Sequence, residues 1–244
     1  MSQFQFRPVR GVPFVVMNLI IINVIFFIAK FFAAGKGIDL DQLLGMHNPM
    51  SPFFHWWQVV THMFMHANLM HLLFNMLGLY FFGKMLEVVW GEKRFIIYYL
   101  VCGLGASAIY IGWETWRTVS LLNQDGNGWA LLQEYVANYT MVGMEHPAFN
   151  TIYGTMVGAS GAIFGLLMGA ALLFPNTEVQ LLLMYVIPVR LKIKWIAILY
   201  GGFELLSGLG GAQEDHVAHF AHIGGMIFGF ILIQIYKRNR SNFY

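Results

Sequence analysis

The sequence predicts an all-α, polytopic membrane protein of six transmembrane helices. Three observations carry that expectation. Of the 244 residues, 58% are hydrophobic and only 11% charged, and the mean hydropathy is +0.61, far from the norm of soluble domains. Apolar runs recur at about the 20 residues that a bilayer requires. Lysine and arginine collect in alternate connections between those runs.

The runs, in order, cover residues 11–29, 66–85, 95–113, 156–174, 195–211 and 217–236. The first is uncharged and follows Arg7 and Arg10. It has no small-residue cleavage site and is long enough to span, which argues against a removable leader. The second is interrupted by His71 and Asn75. The fifth is the weakest, being short, glycine-rich and interrupted by Glu204. Residues 179–189 are apolar too, but Pro188 and the basic residues Arg190, Lys192 and Lys194 argue against a span there.

With the N-terminus inside, Arg7, Arg10, Lys84, Lys93, Arg94, Arg190, Lys192, Lys194, Lys237, Arg238 and Arg240 all fall on the inner side. That is 11 of the 14 basic residues, and only Lys30, Lys36 and Arg117 remain outside. Both termini are therefore expected in the cytoplasm, so the second, fourth and sixth helices run from outside to inside. The outer connection 114–155 is long, and 128–144 within it has helical spacing in Trp129, Leu132 and Val136. The first outer loop carries the aromatic run Phe53-Phe54-His55-Trp56-Trp57, of the kind that sits at headgroup level. No composition shift marks a linker, so 1–244 reads as a single domain. The single cysteine excludes a disulfide framework, and a net charge of +2 gives no nucleic-acid signal.

Parity then aligns the polar residues. Helices two, four and six start at one surface, and His71, Ser160 and His222 stand four or five residues into their runs, roughly 6–8 Å deep. Asn75 lies one turn below His71 on the same helix face. Gly161, Gly165 and Gly169 form a small-residue ridge on the fourth helix, and Gly225 and Gly229 form one on the sixth. Such ridges let backbones approach closely in lipid. A close crossing would bring Ser160 to His222.

A serine needs a base to become a nucleophile, and neutral histidine is the usual one. The oxyanion formed on a peptide carbonyl needs donors in place, which His71, Asn75 and the Ser160 N–H could supply. No acidic residue reads as lying at this depth to orient His222, so a Ser–His dyad is expected rather than a triad. Plainer readings exist: glycine ridges pack ordinary helices, and intramembrane histidines serve as hydrogen bonds or proton paths. Each explains single residues but not the set. His62, His66, His219 and His222 are spaced to face one another, yet without a His-Glu-x-x-His motif or a nearby carboxylate they predict no metal site.

Three motifs resemble those of the rhomboid intramembrane serine proteases. They are Gly158-x-Ser160-Gly161-Ala162-x-x-Gly165, His66-x4-His71-x3-Asn75 and Ala221-His222-x-x-Gly225. Gly83-x3-Glu87-x3-Gly91 is similar to the segment ending that family's second helix. The resemblance covers about 56–230 and implies a six-helix rhomboid-like bundle that cuts transmembrane segments of single-pass or polytopic substrates near the outer membrane face. It implies no cofactor, no metal and no nucleic-acid partner. By resemblance Ser160 is the nucleophile and His222 the base; His71, Asn75 and the Ser160 amide form the oxyanion hole. Gly158 leaves room beside it, Phe164 replaces a stacking tyrosine, and His66 supports the site.

Two departures stand out. Trp57-Gln58 occupies the place of a Trp-Arg pair, which removes a charge that anchors the first outer loop, and the outer connection is long. Six spans without an added one resemble the simple bacterial form, which implies the bacterial inner membrane. Water would enter past Gly210–Asp215 and His216–His222, and the weak fifth helix reads as a lateral gate. The alternatives are a catalytically inactive rhomboid-like protein that binds membrane-protein clients, and a small transporter or proton channel.

Overall fold

The computed structural model describes residues 11–123, 126–137, 148–183, 187–210 and 218–238. Ten helices and four short strands are described: α1 (Phe14–Ala34), α2 (Leu40–Leu44), β1 (Met46–His47), α3 (Gln58–Thr61), α4 (Leu69–Gly78), α5 (Lys84–Leu122), α6 (Gly128–Ala137), α7 (Phe149–Tyr153), β2 (Thr155–Met156), α8 (Ser160–Leu173), β3 (Glu178–Leu183), β4 (Ile187–Lys192), α9 (Ile193–Leu209) and α10 (His219–Arg238). A 3₁₀ turn (His62–Phe64) precedes α4, and a π turn (Leu79–Gly83) joins α4 to α5 without a break.

Helix from 69 to 122 runs for 54 residues. At ~1.5 Å per residue that is about 80 Å, far more than one crossing of a ~30 Å hydrocarbon layer. Gly91 divides it. Its φ of +74° is a left-handed conformation that glycine adopts without penalty, so one span ends near Trp90 and the next returns. With α1, α8, α9 and α10 this makes six crossings, as the sequence predicts. The third does not stop at Trp113 but continues to Leu122. There Leu122, Leu132, Ala148 and Ile152 close a small core of their own with α6 and α7. The helix expected at 128–144 is seen as Gly128–Ala137, and 138–144 lie outside the described residues. Residues 179–183 and 187–189 do not span: they pair in the antiparallel strands β3 and β4, in register Glu178↔Lys192, and 184–186 lie outside the described residues.

The fourth crossing starts later than its hydropathy suggests. Residues 155–156 are strand, and helix begins only at Ser160. Fourteen residues rise only ~21 Å, less than the hydrocarbon thickness. Likewise α4 begins at Leu69 rather than His66 and α10 is described from His219.

The buried core gathers α1, α4, α5, α8 and α10 around Phe95, Tyr98, Tyr99, Cys102 and Leu166. Glycines decide the closest approach. A Cβ on Gly225 would lie 1.8 Å from the Gly161 carbonyl oxygen, and one on Gly229 would lie 2.8 Å from that of Gly165. The ridges of α8 and α10 are therefore in backbone contact. The Tyr98 hydroxyl donates to the Gly165 carbonyl at 2.9 Å and ties α5 to the same seam. At the other end of the bundle, the Glu87 carboxylate accepts from the Val15 and Val16 amides at 2.8 Å each. It caps α1, whose own N-cap, Pro13, has no side-chain oxygen to offer.

Gly225→Ala is expected to cost at least about 2–3 kcal/mol, because backbone rather than a flexible side chain blocks the methyl. Gly202→Ala on α9, where a Cβ meets nothing within 4 Å, should be neutral within about 0.5 kcal/mol. Thermal unfolding of the two variants in detergent checks this contrast.

Candidate active site

Ser160 is the first residue of α8, reached by a strand pinned from outside the bundle. β2 pairs antiparallel with β1, Met46↔Met156 and His47↔Thr155. Two residues on, the Gly158 amide donates to the His62 carbonyl at 2.9 Å. Gly158 has φ +127°, and a Cβ there would lie 2.8 Å from His71 Nε2 and 3.7 Å from Asn75 Nδ2. The glycine leaves the gap into which both α4 side chains point, and the chain then turns to present Ser160.

The close seam of α8 and α10 completes the pair. Ser160 Oγ lies 2.7 Å from His222 Nε2. Phe164, one turn along α8, stacks on the imidazole with centroids 4.3 Å apart and an interplanar angle of 6°. A hydroxyl is not needed for that contact, so phenylalanine fixes the ring plane as a tyrosine would. His222 is buried and Ser160 half-buried. Asn75 is buried and donates one amide hydrogen to the His71 carbonyl at 3.0 Å, which leaves the other free to turn toward Gly158. His66 is fully buried with its ring 5.2 Å from that of His71, edge-on at 69°. Every residue expected at the site is thus brought to one end of α4, α8 and α10.

One expectation is overturned. Glu204, on α9, does stand at this level: its Oε2 lies 2.6 Å from His219 Nδ1 and 2.9 Å from His222 Nδ1. The His219 contact is a well-formed hydrogen bond. The His222 N–H lies off the direct line to the oxygen, so that contact is close in distance but poorly aligned. Depth counted only along helices that descend from the Ser160 end misses this residue. Counted back along the ascending fifth helix from its far end, Glu204 reaches the same level. Among the described residues no group of three or more His, Cys, Asp or Glu is arranged to hold a metal ion.

The first outer loop is not loosened by the missing arginine. Gln58 is fully buried and its amide donates to the Phe53 carbonyl at 3.0 Å and to those of Gln42 and Leu43 at 3.4 Å. Its Oε1 accepts from the His55 amide at 3.1 Å and the His47 amide at 3.4 Å. Trp57 Nε1 and the Thr61 hydroxyl donate to the Leu43 and Leu44 carbonyls at 3.0 and 2.7 Å. A neutral amide thus serves where a cation was expected. Residues 211–217, including the expected water approach at His216, lie outside the described residues.

A Rhomboid domain family model matches residues 54–239. The chain belongs to the rhomboid family. It is 28% identical over 222 residues to Rhomboid-like protein 11, chloroplastic, of Arabidopsis thaliana, covering 90% of this chain and 64% of that one. It is 31% identical to RHOMBOID-like protein 1 of the same plant, covering 72% and 33%, and 27% identical to Rhomboid protease AarA of Providencia stuartii, covering 72% and 54%. The chain therefore spans less than two thirds of the length of each of these relatives. This rhomboid is an integral membrane protein with the family's polytopic helical fold.

The loop that pins the strand before Ser160 also carries a pH limit. His62, outside the spanning helices, is buried with Nδ1 donating to the Gln58 carbonyl at 2.8 Å and Nε2 lying 3.1 Å from Ser107 Oγ. Burial pushes its pKa down to about 4. A depressed histidine pKa means that the unfolded chain takes up the proton first, so stability is full above about pH 6.5 and falls as pH drops toward 4. The loss reaches about 3 kcal/mol from this group. Unfolding midpoints between pH 7 and pH 4 should fall in wild type, with a shallower slope in His62→Gln.

Proposed function

We propose that this rhomboid is an intramembrane serine endopeptidase that cuts the transmembrane segments of other membrane proteins close to the membrane face at which Ser160 lies. The single observation that carries the reading is the 2.7 Å contact between Ser160 Oγ and His222 Nε2, made between two helices inside the bundle. Relatives named as rhomboid proteases in Providencia stuartii and Bacillus subtilis support it.

In this reading Ser160 Oγ attacks a substrate carbonyl carbon while its proton passes to His222 Nε2. The carbonyl π electrons move onto oxygen, and that oxyanion is met by His71, Asn75 and the Ser160 amide. The amide at the start of α8 suits this role, because the first N–H groups of a helix have no acceptor within it and lie at its positive end. The tetrahedral intermediate collapses as the C–N bond breaks, and His222 returns the proton to the leaving amine. Water then attacks the acyl-enzyme with His222 again as base. The partial exposure of Ser160 supports access for that water.

The basic residues favour both termini in the cytoplasm, with the Ser160 end facing outward. We favour a bacterial inner membrane as the setting, a reading that the relatives in Providencia stuartii and Bacillus subtilis support.

Cleavage of a single-pass model substrate reconstituted with the protein tests the reading. Wild type is expected to release a fragment cut within or next to the membrane segment. Ser160→Ala is expected to lose at least about a thousandfold of that rate, and His222→Ala to lose as much. Cleavage that survives in Ser160→Ala would end the proposal.

A further inference from the structure

α9 is held to the bundle in an unusual way. Its large side chains face outward, with Phe203 62%, Leu205 45% and Leu206 73% exposed. Its buried residues are Ile193, Ile196 and Ala197 near one end and, near the other, Glu204 alone. A carboxylate at 5% exposure in an apolar helix is costly unless partnered, and polar groups so placed usually serve a site. Glu204 is partnered by two rings of α10, three residues apart on one face, and one of those rings is the histidine that touches Ser160.

We propose that Glu204 is a positioning residue that makes Ser160 and His222 the working end of a three-membered chain. The inference rests on the protease reading. The imidazole has two degrees of freedom that matter, its plane and its rotation within that plane. Phe164 fixes the plane by stacking. The carboxylate biases the rotation, because a neutral ring that accepts from the Ser160 hydroxyl at Nε2 must carry its hydrogen on Nδ1, and Nδ1 lies 2.9 Å from Glu204 Oε2. In the resting geometry that N–H is off the line to the oxygen; the charge that His222 gains with the serine proton is what draws ring and carboxylate into alignment. When His222 takes the serine proton it becomes a cation carrying hydrogen on both nitrogens; Glu204 stays ionised, neutralises that cation and takes no proton itself. The proton leaves again to the amine as the C–N bond breaks. His219 donates to the same oxygen at 2.6 Å, which holds the carboxylate toward α10 in a setting where solvent cannot.

Such a role differs from that of a structural tie between α9 and α10, and steady-state cleavage of the reconstituted model substrate separates the two. Glu204→Gln keeps size and shape but removes the charge. It is expected to lower kcat by at least about tenfold with KM within about twofold of wild type. Glu204→Asp, which keeps the charge at shorter reach, is expected to recover part of the loss, and it carries the test if the Gln variant does not fold. A kcat for Glu204→Gln equal to that of wild type overturns the proposal. So does a loss confined to KM, or an Asp variant that folds yet is as slow as Gln. In each of those cases wild type still cleaves and the protease reading stands; absence of cleavage by wild type overturns both.

Discussion

The backbone contact between α8 and α10 is the constraint from which the site follows. Gly225 approaches the Gly161 carbonyl so closely that no other residue fits at that position. Lipid offers no hydrophobic drive to bring helices together, so the attraction comes from packing, and packing at this range requires missing side chains. The crossing point lies one residue past Ser160 and three past His222. Any wider crossing would part the oxygen and the nitrogen by more than a hydrogen bond can span.

Position along the membrane normal is set by a second device. α8 is too short to cross the hydrocarbon unaided, and the chain reaches its start through an extended segment. That segment is held by the β1–β2 pair and by the Gly158 bond to the His62 carbonyl. The loop supplying those partners is itself organised around Gln58 and the buried His62. Irregular backbone at membrane depth is tolerable only where protein satisfies it, and here a loop folded back over the bundle does so.

Much of this was legible in the sequence. Hydropathy and charge placed six crossings, and the four-residue glycine spacing picked out the seam between the fourth and sixth. Equal depth brought His71, Asn75, Ser160 and His222 together before any coordinates did. What hydropathy could not show was where helix gives way to other structure. Thr155 and Met156 read as the edge of the span, yet they pair with His47 and Met46 because the loop, not the helix, takes up this part of the chain. The third crossing likewise runs on past Trp113, since its continuation packs against α6 and α7 rather than lipid. Glu204 enters hydropathy only as a weakness of the fifth run; its place beside His222 emerges when depth is counted from the other end of that helix.

Gln58 also shows why substitution patterns mislead when charge is equated with role. The loop needs donors and acceptors in one buried place more than it needs a cation, and a carboxamide has both. The central claim concerns chemistry rather than packing, and a mechanism-based label reads it without any substrate. Exposure of the reconstituted protein to a fluorophosphonate, followed by mass spectrometry of the modified peptide, should find the label on Ser160 and lose it in His222→Ala. A wild-type protein that stays unlabelled, or a His222→Ala variant labelled as fast as wild type, would contradict the account.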